Sequence, residues 1–346
     1  HRLVIDEEGI SPERIADVVS TVFGIGSIAE VMELPVPSLE DLAQSAAAAA
    51  APTVGGKRFA VRPRRSGDHP WRSQDLAVRL GDLLRAAGGT VDLTDPQVTV
   101  QVTIEDDRAF LATDRLPGAG GLPIGSQGRV LTMLSGGFDS VVAAWMMMSR
   151  GAATDLVHFT LSCAQSDHAL AVGHELWRRW GHGTEPMVHL VEFQPVKEAL
   201  FDQVDPRMRQ VTLKVLMARA AAAIAEAEGC EAIVTGDSLG QVSSQTLPHL
   251  AAVSRSVEIP MFRPLIGLPK ETIIEYARTI GTADISARAR EVCDLSEQGR
   301  VATAAGRAAI ARAVGSVPEV LMADAVTTRK TFLLGDWVPG LATTAG

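Results

Sequence analysis

Two serines, two glycines and an aspartate crowd into the six residues Ser135-Gly136-Gly137-Phe138-Asp139-Ser140. Together these residue types can hold a phosphate. Two glycines let the backbone approach an anion closely, the N–H groups of a following helix start point at it, and the hydroxyls of Ser135 and Ser140 add donors. A carboxylate among them, Asp139, is a natural ligand for Mg2+. A Walker-type loop is excluded, because Gly56-Lys57 is followed by Arg58 where that loop needs Ser or Thr.

Such a loop needs a strand to deliver it and a helix to leave it. Arg129-Val130-Leu131-Thr132-Met133-Leu134 is apolar enough for the strand, and a helical pattern runs from Phe138 to Arg150. Further strands are expected over 156–161, 188–193 and 232–235, with helices over 169–180 and 207–228. Strands that are apolar throughout and alternate with helices specify a doubly wound parallel sheet covered on both faces. Ligands sit at the carboxyl ends of such strands, so the loops after Leu134, Leu161, Phe193 and Thr235 are expected to converge. Upstream, residues 1–116 mix helices (11–23, 38–50) with strands (28–32, 58–62, 98–104), which makes a smaller α/β domain. Residues 117–127 are a linker by composition. The sheet domain is expected over 128–295 and a C-terminal helical extension over 296–346.

The 346 residues, 46% of them hydrophobic, suffice for two cores. No apolar run reaches the ~18 residues of a membrane span and no charged-then-apolar leader opens the chain, so a cytoplasmic protein with no membrane contact is expected. Cys163, Cys230 and Cys293 lie far apart, which argues against a disulfide framework and a zinc site. The formal net charge of −9 is unevenly spread: Lys57, Arg58, Arg62, Arg64, Arg65, Arg72 and Arg79 face only Asp68 and Asp75. That run is either a solvated face or a nucleic-acid surface.

Three other patterns imitate sites. Gly236-Asp237-Ser238-Leu239-Gly240 follows a strand like a nucleophile elbow, but His249 is the only histidine after Ser238 and leaves no room for an acid between them. Gly24-Ile25-Gly26-Ser27-Ile28-Ala29 follows a helix, where a dinucleotide fingerprint requires a strand. His168, His174, His182 and His189 lack metal-site spacing.

The loop resembles the signature of the PP-loop ATP pyrophosphatases, which adenylate a substrate oxygen and release pyrophosphate. More of the chain is similar to one group within them. Gly120-Gly121-Leu122-Pro123-Ile124-Gly125-Ser126-Gln127-Gly128, the loop itself, 235–246, and Arg263-Pro264-Leu265-Ile266 with Lys270 resemble the tRNA 4-thiouridine synthases in order and spacing. Phe59-Ala60-Val61-Arg62-Pro63-Arg64-Arg65 and His69-Pro70 resemble that family's THUMP domain, preceded by a remnant of its ferredoxin-like domain.

The resemblance implies an ATP-dependent tRNA sulfurtransferase that adenylates uridine 8 and replaces its O4 by sulfur, and that also serves thiazole synthesis in some members. By the family's pattern ATP lies against Met133, Leu134, His158 and Phe159, with Lys214, Gly236 and Gln245 completing its site beside Ser135, Gly136, Gly137 and Ser140. Asp139 is assigned to metal and pyrophosphate, Lys270 to developing charge, and Cys293 to resolving a persulfide. Lys57, Arg62, Arg64, Arg65 and His69 are the expected RNA contacts. ATP and Mg2+ are the implied cofactors, tRNA and a persulfide donor (a cysteine desulfurase with a separate rhodanese-like carrier) the partners, and a homodimer the assembly. No rhodanese domain follows in this sequence, and it opens late in the ferredoxin-like domain, as a fragment would. A PP-loop ligase for a small molecule would lack the basic segment, and a non-catalytic RNA-binding protein would not need Asp139, Lys270 and Gln245.

Overall fold

A computed structural model describes residues 3–5, 9–161, 166–288 and 305–339. The chain divides into two units, 1–20 with 25–119, and 21–24 with 120–346.

The first unit contains α1 (Pro12–Val19), β1 (Ser27–Ile28), β2 (Met32–Pro35), α2 (Leu39–Val54), β3 (Arg58–Ser66) and α3 (Ser73–Ala86). It continues with β4 (Thr90–Val91), β5 (Val98–Glu105), β6 (Arg108–Ala112) and β7 (Leu116–Pro117). Its main sheet has the order β2-β6-β5-β3-β4. Ser38 starts α2 by accepting the Asp41 N–H at 3.1 Å, and Glu40 and Asp41 in the first turn suit the helix dipole. Leu42, Ala46 and Ala50 of α2 and Leu76, Leu80 and Leu84 of α3 form the core with Phe59, Val100, Val102 and Ile104. The leucines of α3 recur every four residues and so line one helix face.

The helix expected to run to Phe23 stops at Val19. Beyond it Phe23 is buried in the second unit, its ring 5.4 Å from that of Trp180 and 5.9 Å from that of Trp145. Burying an aromatic ring outweighs the small propensity gain of one more helical turn.

The second unit begins with β8 (Arg129–Met133), α4 (Phe138–Ser149), β9 (Ala153–Thr160), α5 (Ser166–Trp180), β10 (Met187–Glu192) and α6 (Gln194–Gln203). It goes on through α7 (Pro206–Ala227), β11 (Ala232–Val234), α8 (Leu247–Ser254), β12 (Met261–Phe262), α9 (Lys270–Ile280) and α10 (Ala283–Ser286). It ends with α11 (Arg307–Ser316), α12 (Glu319–Thr327) and β13 (Lys330–Leu333). The sheet order is β12-β11-β8-β9-β10-β13. Every pairing is parallel except that of β13 with β10. The chain moves outward from β8 through β9 to β10, then returns to β11 on the other side of β8. The switch point beside β8 is where an open α/β sheet offers a crevice.

The C-terminal segment, expected as a helical extension over 296–346, carries the helices α11 and α12 and beyond them the strand β13. Ile310, Val314 and Ala325 of α11 and α12 join the main core beside Val211, Leu213 and Ala218 of α7. β13 closes an edge of the sheet, where its Thr331 Oγ1 lies 3.1 Å from His189 Nδ1. An uncovered edge strand leaves a row of unpaired backbone groups, and β13 supplies their partners.

Candidate active site

The loop after β8 is shaped by its glycines. Gly136 has φ +81°, where a side chain is strained, and a β-carbon there would lie 3.0 Å from His168 Cδ2 and 3.1 Å from Ala169 Cα, so a larger residue would also crowd its neighbours. Gly137 is the N-cap of α4 and offers no side chain to cap it. The amides of the first turn of α4 are thereby left for a ligand. Ser140 is buried, and its Oγ accepts the Ser135 N–H at 3.0 Å and lies 3.1 Å from Ser135 Oγ. The oxygen expected to face phosphate thus braces the loop from within.

Gly236, after β11, supports the same turn. Its α-carbon is so near α4 that an added β-carbon would lie 2.6 Å from both Asp139 C and Ser140 N. The following loop is laced to the one preceding α9: Leu239 N–H donates to Ile266 O at 3.0 Å, and Ser238 Oγ donates to Leu268 O at 2.9 Å. This lacing brings Gln241 and Lys270 to Asp139. Lys270, the first residue of α9, places its Nζ 2.7 and 2.9 Å from the two Asp139 oxygens, and Gln241 Nε2 donates to Oδ2 at 3.0 Å. The Lys270 Nζ also lies 5.5 Å from the Phe138 ring centroid.

A second carboxylate is more deeply set. Asp237 Oδ1 accepts from Lys214 Nζ at 2.8 Å and from Gln245 Nε2 at 3.3 Å. Its Oδ2 accepts from Thr235 Oγ1 at 2.8 Å and from Arg263 Nε at 3.3 Å. Burial alone would raise the pKa of Asp237, but the charge and hydrogen bond of Lys214, with Thr235 and Arg263, outweigh it and hold the carboxyl below the ordinary range. Lys214 is a single charge on Asp237, and Arg263 is the second cation beside this buried carboxylate.

On the β9 side, His158 is buried and its Nδ1 lies 2.8 Å from Leu134 O. A carbonyl only accepts, so Nδ1 carries the proton. Burial lowers the His158 pKa against the smaller opposing effect of this bond, and the ring stays neutral with Nε2 as a bare acceptor. Phe159 is buried against Phe193 with ring centroids 4.9 Å apart, which leaves only its backbone for a ligand.

In the first unit the alternation of β3 separates the basic residues. Arg62 and Arg64 are exposed, whereas Arg65 is half-buried on the other face. Arg62 donates to Leu93 O at 2.7 Å. Arg64 lines a groove of about 410 Å³ with Arg62, Gln101 and Arg115. Arg65 instead donates to His69 O at 3.3 Å and lies over Trp71, while His69 Nε2 is 2.7 Å from Asp106 O. Arg58 is paired with Asp92 and Asp95, and Arg79 with Glu40. Much of the basic run therefore serves the fold.

The family model described as Thiamine biosynthesis protein (ThiI) matches residues 125–317, over half of the 346. The chain belongs to the ThiI family. A THUMP domain model also matches residues 36–114. A tRNA sulfurtransferase of Pyrobaculum aerophilum is 41% identical over 276 residues, 80% of this chain and 57% of that protein. One from Shigella dysenteriae serotype 1 is 39% identical over 282 residues, 81% of this chain and 58% of that protein. The chain thus spans less than two thirds of the length of these relatives. A crystal structure described as a 4-thiouridine synthetase–RNA complex with bound ATP shares the fold with a TM-score of 0.83. That pair is 26% identical, over 95% of this chain and 87% of the other.

In this ThiI-family chain the structure gathers Ser135, Gly136, Gly137, Asp139, Ser140, Gly236 and Lys270 around one turn, and Lys214 with Gln245 around Asp237. From sequence alone Asp237, Arg263 and Gln241 carry no role of their own. All three lie inside motifs already singled out, but their partners are remote in the chain. Cys163 and Cys293 lie outside the described residues. Cys230 is buried, and its thiol is pushed up to about 12 by burial and by Asp155, which makes it a poor nucleophile. The nucleophile-elbow reading also fails in space: Ser238 donates to a backbone carbonyl, and His249 Nδ1 is engaged by Ser243 O at 3.1 Å. Among the described residues no helix is long and apolar enough to cross a membrane.

Proposed function

We propose that this chain is the tRNA-binding and adenylating part of a tRNA sulfurtransferase, which uses ATP to activate uridine 8 and replaces its O4 by sulfur. The observation that carries this reading is the meeting of Asp139, Lys270 and Gln241 at the start of α4, in front of a glycine turn built for phosphate. The family relatives named as tRNA sulfurtransferases support it.

The residues fit a nucleotide. The α4 amides, with Ser135, Gly136 and Gly137, are donors for phosphate oxygens, and Met133, Leu134, His158 and Phe159 bound the end of the sheet where the base would lie. ATP, when bound, supplies the adenylyl group that turns uridine O4 into a leaving group. Mg2+ would find Asp139 as its carboxylate, with the remaining ligands coming from phosphate and water, a usual arrangement for this ion. Among the described residues no cluster of three acidic or histidine side chains forms a ready-made metal cage.

The chain's own groups act by position and charge. Asp139 holds the Lys270 ammonium at the mouth of the turn, where it offsets negative charge developing on phosphate. Gly236 keeps the turn and Asp139 in register. Lys214, fixed by Asp237, adds a second cation. The THUMP unit would hold tRNA through phosphate contacts at Arg62 and Arg64. Sulfur would arrive as a persulfide from a cysteine desulfurase and carrier, and a homodimer would let one subunit present tRNA to the other.

The test is incubation with unmodified tRNA, ATP, Mg2+ and sulfide, following AMP release and the near-ultraviolet absorbance of 4-thiouridine. Thiolation that disappears with Asp139→Ala is the expected result. Absence of any tRNA-dependent ATP turnover would overturn the proposal.

A further inference from the structure

Asp139 has two partners of different kinds. Lys270 Nζ lies 2.7 and 2.9 Å from its two oxygens, and Gln241 Nε2 donates to Oδ2 at 3.0 Å. The two are held differently. Lys270 ends a flexible four-carbon stem, and its side chain is 37% exposed, so the ammonium has room to move. Gln241 sits on a tight turn: Gly240 has φ +76° and its N–H donates to Gln245 O at 2.9 Å, while the Gln241 N–H donates to Ser238 O at 3.4 Å. The orientation of the amide follows from chemistry. A carboxylate facing an ammonium only accepts, so Gln241 must turn its NH2 towards Asp139 and its Oε1 away. That Oε1 is buried and has no partner among the described residues. Burying an unpaired amide oxygen costs stability, so packing alone would favour an apolar side chain here. What the amide supplies is the bond to Asp139.

That bond differs from the one to Lys270 in carrying no charge. A carboxylate that holds an ammonium and a divalent cation together sets like charges side by side, whereas a neutral donor leaves the negative charge of Asp139 whole for the cation. It also leaves room: each carboxylate oxygen accepts two bonds, and among the described residues Oδ1 has Lys270 alone. We infer that Gln241 is a positioning residue for the divalent cation of the reaction, which aims the Asp139 carboxylate and holds that aim when the Lys270 ammonium turns to phosphate. The inference rests on the ATP- and Mg2+-dependent reading above and adds to it a residue that acts through Asp139. Hydrogen bonds to a ligating carboxylate fix its orientation, and losing one weakens metal binding about 10–100-fold.

The experiment measures, by calorimetry on the full chain, the affinity for α,β-methylene-ATP in Mg2+ and in EDTA, and reads the ratio of the two. The methylene bridge prevents cleavage, so binding alone is observed. Asp139→Asn marks the ratio left when the chain offers the cation no carboxylate. Gln241→Met keeps the length of the side chain and removes the donor. Its ratio should fall about tenfold from wild type, towards that of Asp139→Asn, while its melting temperature does not fall. In the Asp139→Asn background the same substitution should change the ratio by less than about twofold, because Gln241 then has no carboxylate to aim. Gln241→Ala decides the question if Gln241→Met does not fold by circular dichroism. A Gln241→Met ratio equal to that of wild type, a loss of affinity equal with and without Mg2+, or the same fall in the Asp139→Asn background would overturn the inference. So would a wild-type ratio no higher than that of Asp139→Asn. Wild type that binds the nucleotide under neither condition would instead overturn the functional reading on which the inference rests.

Discussion

The α-carbon of Gly236 and the backbone amide of Ser140 stand so close that a single added methyl group would lie 2.6 Å from the amide nitrogen. The neighbours there are backbone atoms at the start of α4, which cannot rotate aside as a side chain can. Gly236→Ala should therefore push the phosphate turn and Asp139 out of place. We expect a destabilisation of about 1–3 kcal/mol in urea unfolding, together with loss of AMP release. A variant with unchanged stability and turnover would show that the contact can relax.

Lys270 and Asp139 are both partly exposed, with side-chain exposures of 37% and 22%. Their pair should matter little to folding, about 0–1 kcal/mol, and much to chemistry. Lys270→Ala should leave the melting temperature nearly unchanged and reduce tRNA-dependent AMP release about 10²–10³-fold. Lys270→Arg should recover part of it. A large fall in melting temperature would instead mark the pair as structural.

Arg64 and Arg65 are neighbours in sequence with opposite duties. Arg64→Ala should weaken tRNA binding, lower the salt dependence by about one phosphate contact and spare the melting temperature. Arg65→Ala should cost about 0.5–1.5 kcal/mol, because it loses the His69 carbonyl and the Trp71 face. Equal effects on tRNA affinity from both variants would contradict this division.

His158 gives the fold a pH dependence with a definite sign. Burial lowers its pKa in the folded state, so as pH falls through about 6.5 the unfolded chain takes up a proton that the folded chain resists. Stability from this group is present above that pH and is lost as pH falls towards the lowered folded value. His189 and His249 are shifted in the same direction by burial. Melting temperatures between pH 7.5 and 5.5 should fall for wild type, and less steeply for His158→Gln. Parallel curves would exclude His158 as a contributor.

Much of the architecture was legible because its causes are local. The apolar strand, the glycine pair and the helix start at Phe138 are contiguous, and so are Ser38 and the acidic first turn of α2. Helix α3 is equally local, with Leu76, Leu80 and Leu84 at regular spacing, but Arg79 and Asp82 between them and the basic residues before it make the stretch read as a charged run. The early end of α1 had no local signal, because the attraction that ends it comes from Trp145 and Trp180. The C-terminal strand β13 was obscured for a similar reason: four residues with an exposed lysine form a strand only when a sheet edge is already there to pair with.

By itself the sequence determined that a phosphate-binding turn follows a buried strand, since steric freedom of glycine and apolar periodicity act within a few residues. Only the tertiary structure decided which charges meet. Lys270 reaches Asp139 across 131 positions and Lys214 reaches Asp237 across 23, after the sheet has brought the ends of β8 and β11 side by side. Such pairs depend on three-dimensional distance and burial, and no spacing along the chain encodes either. In the basic run the alternation of β3 puts Arg64 and Arg65 on opposite faces, and the tertiary structure decided which face meets solvent and that Arg65 packs on Trp71.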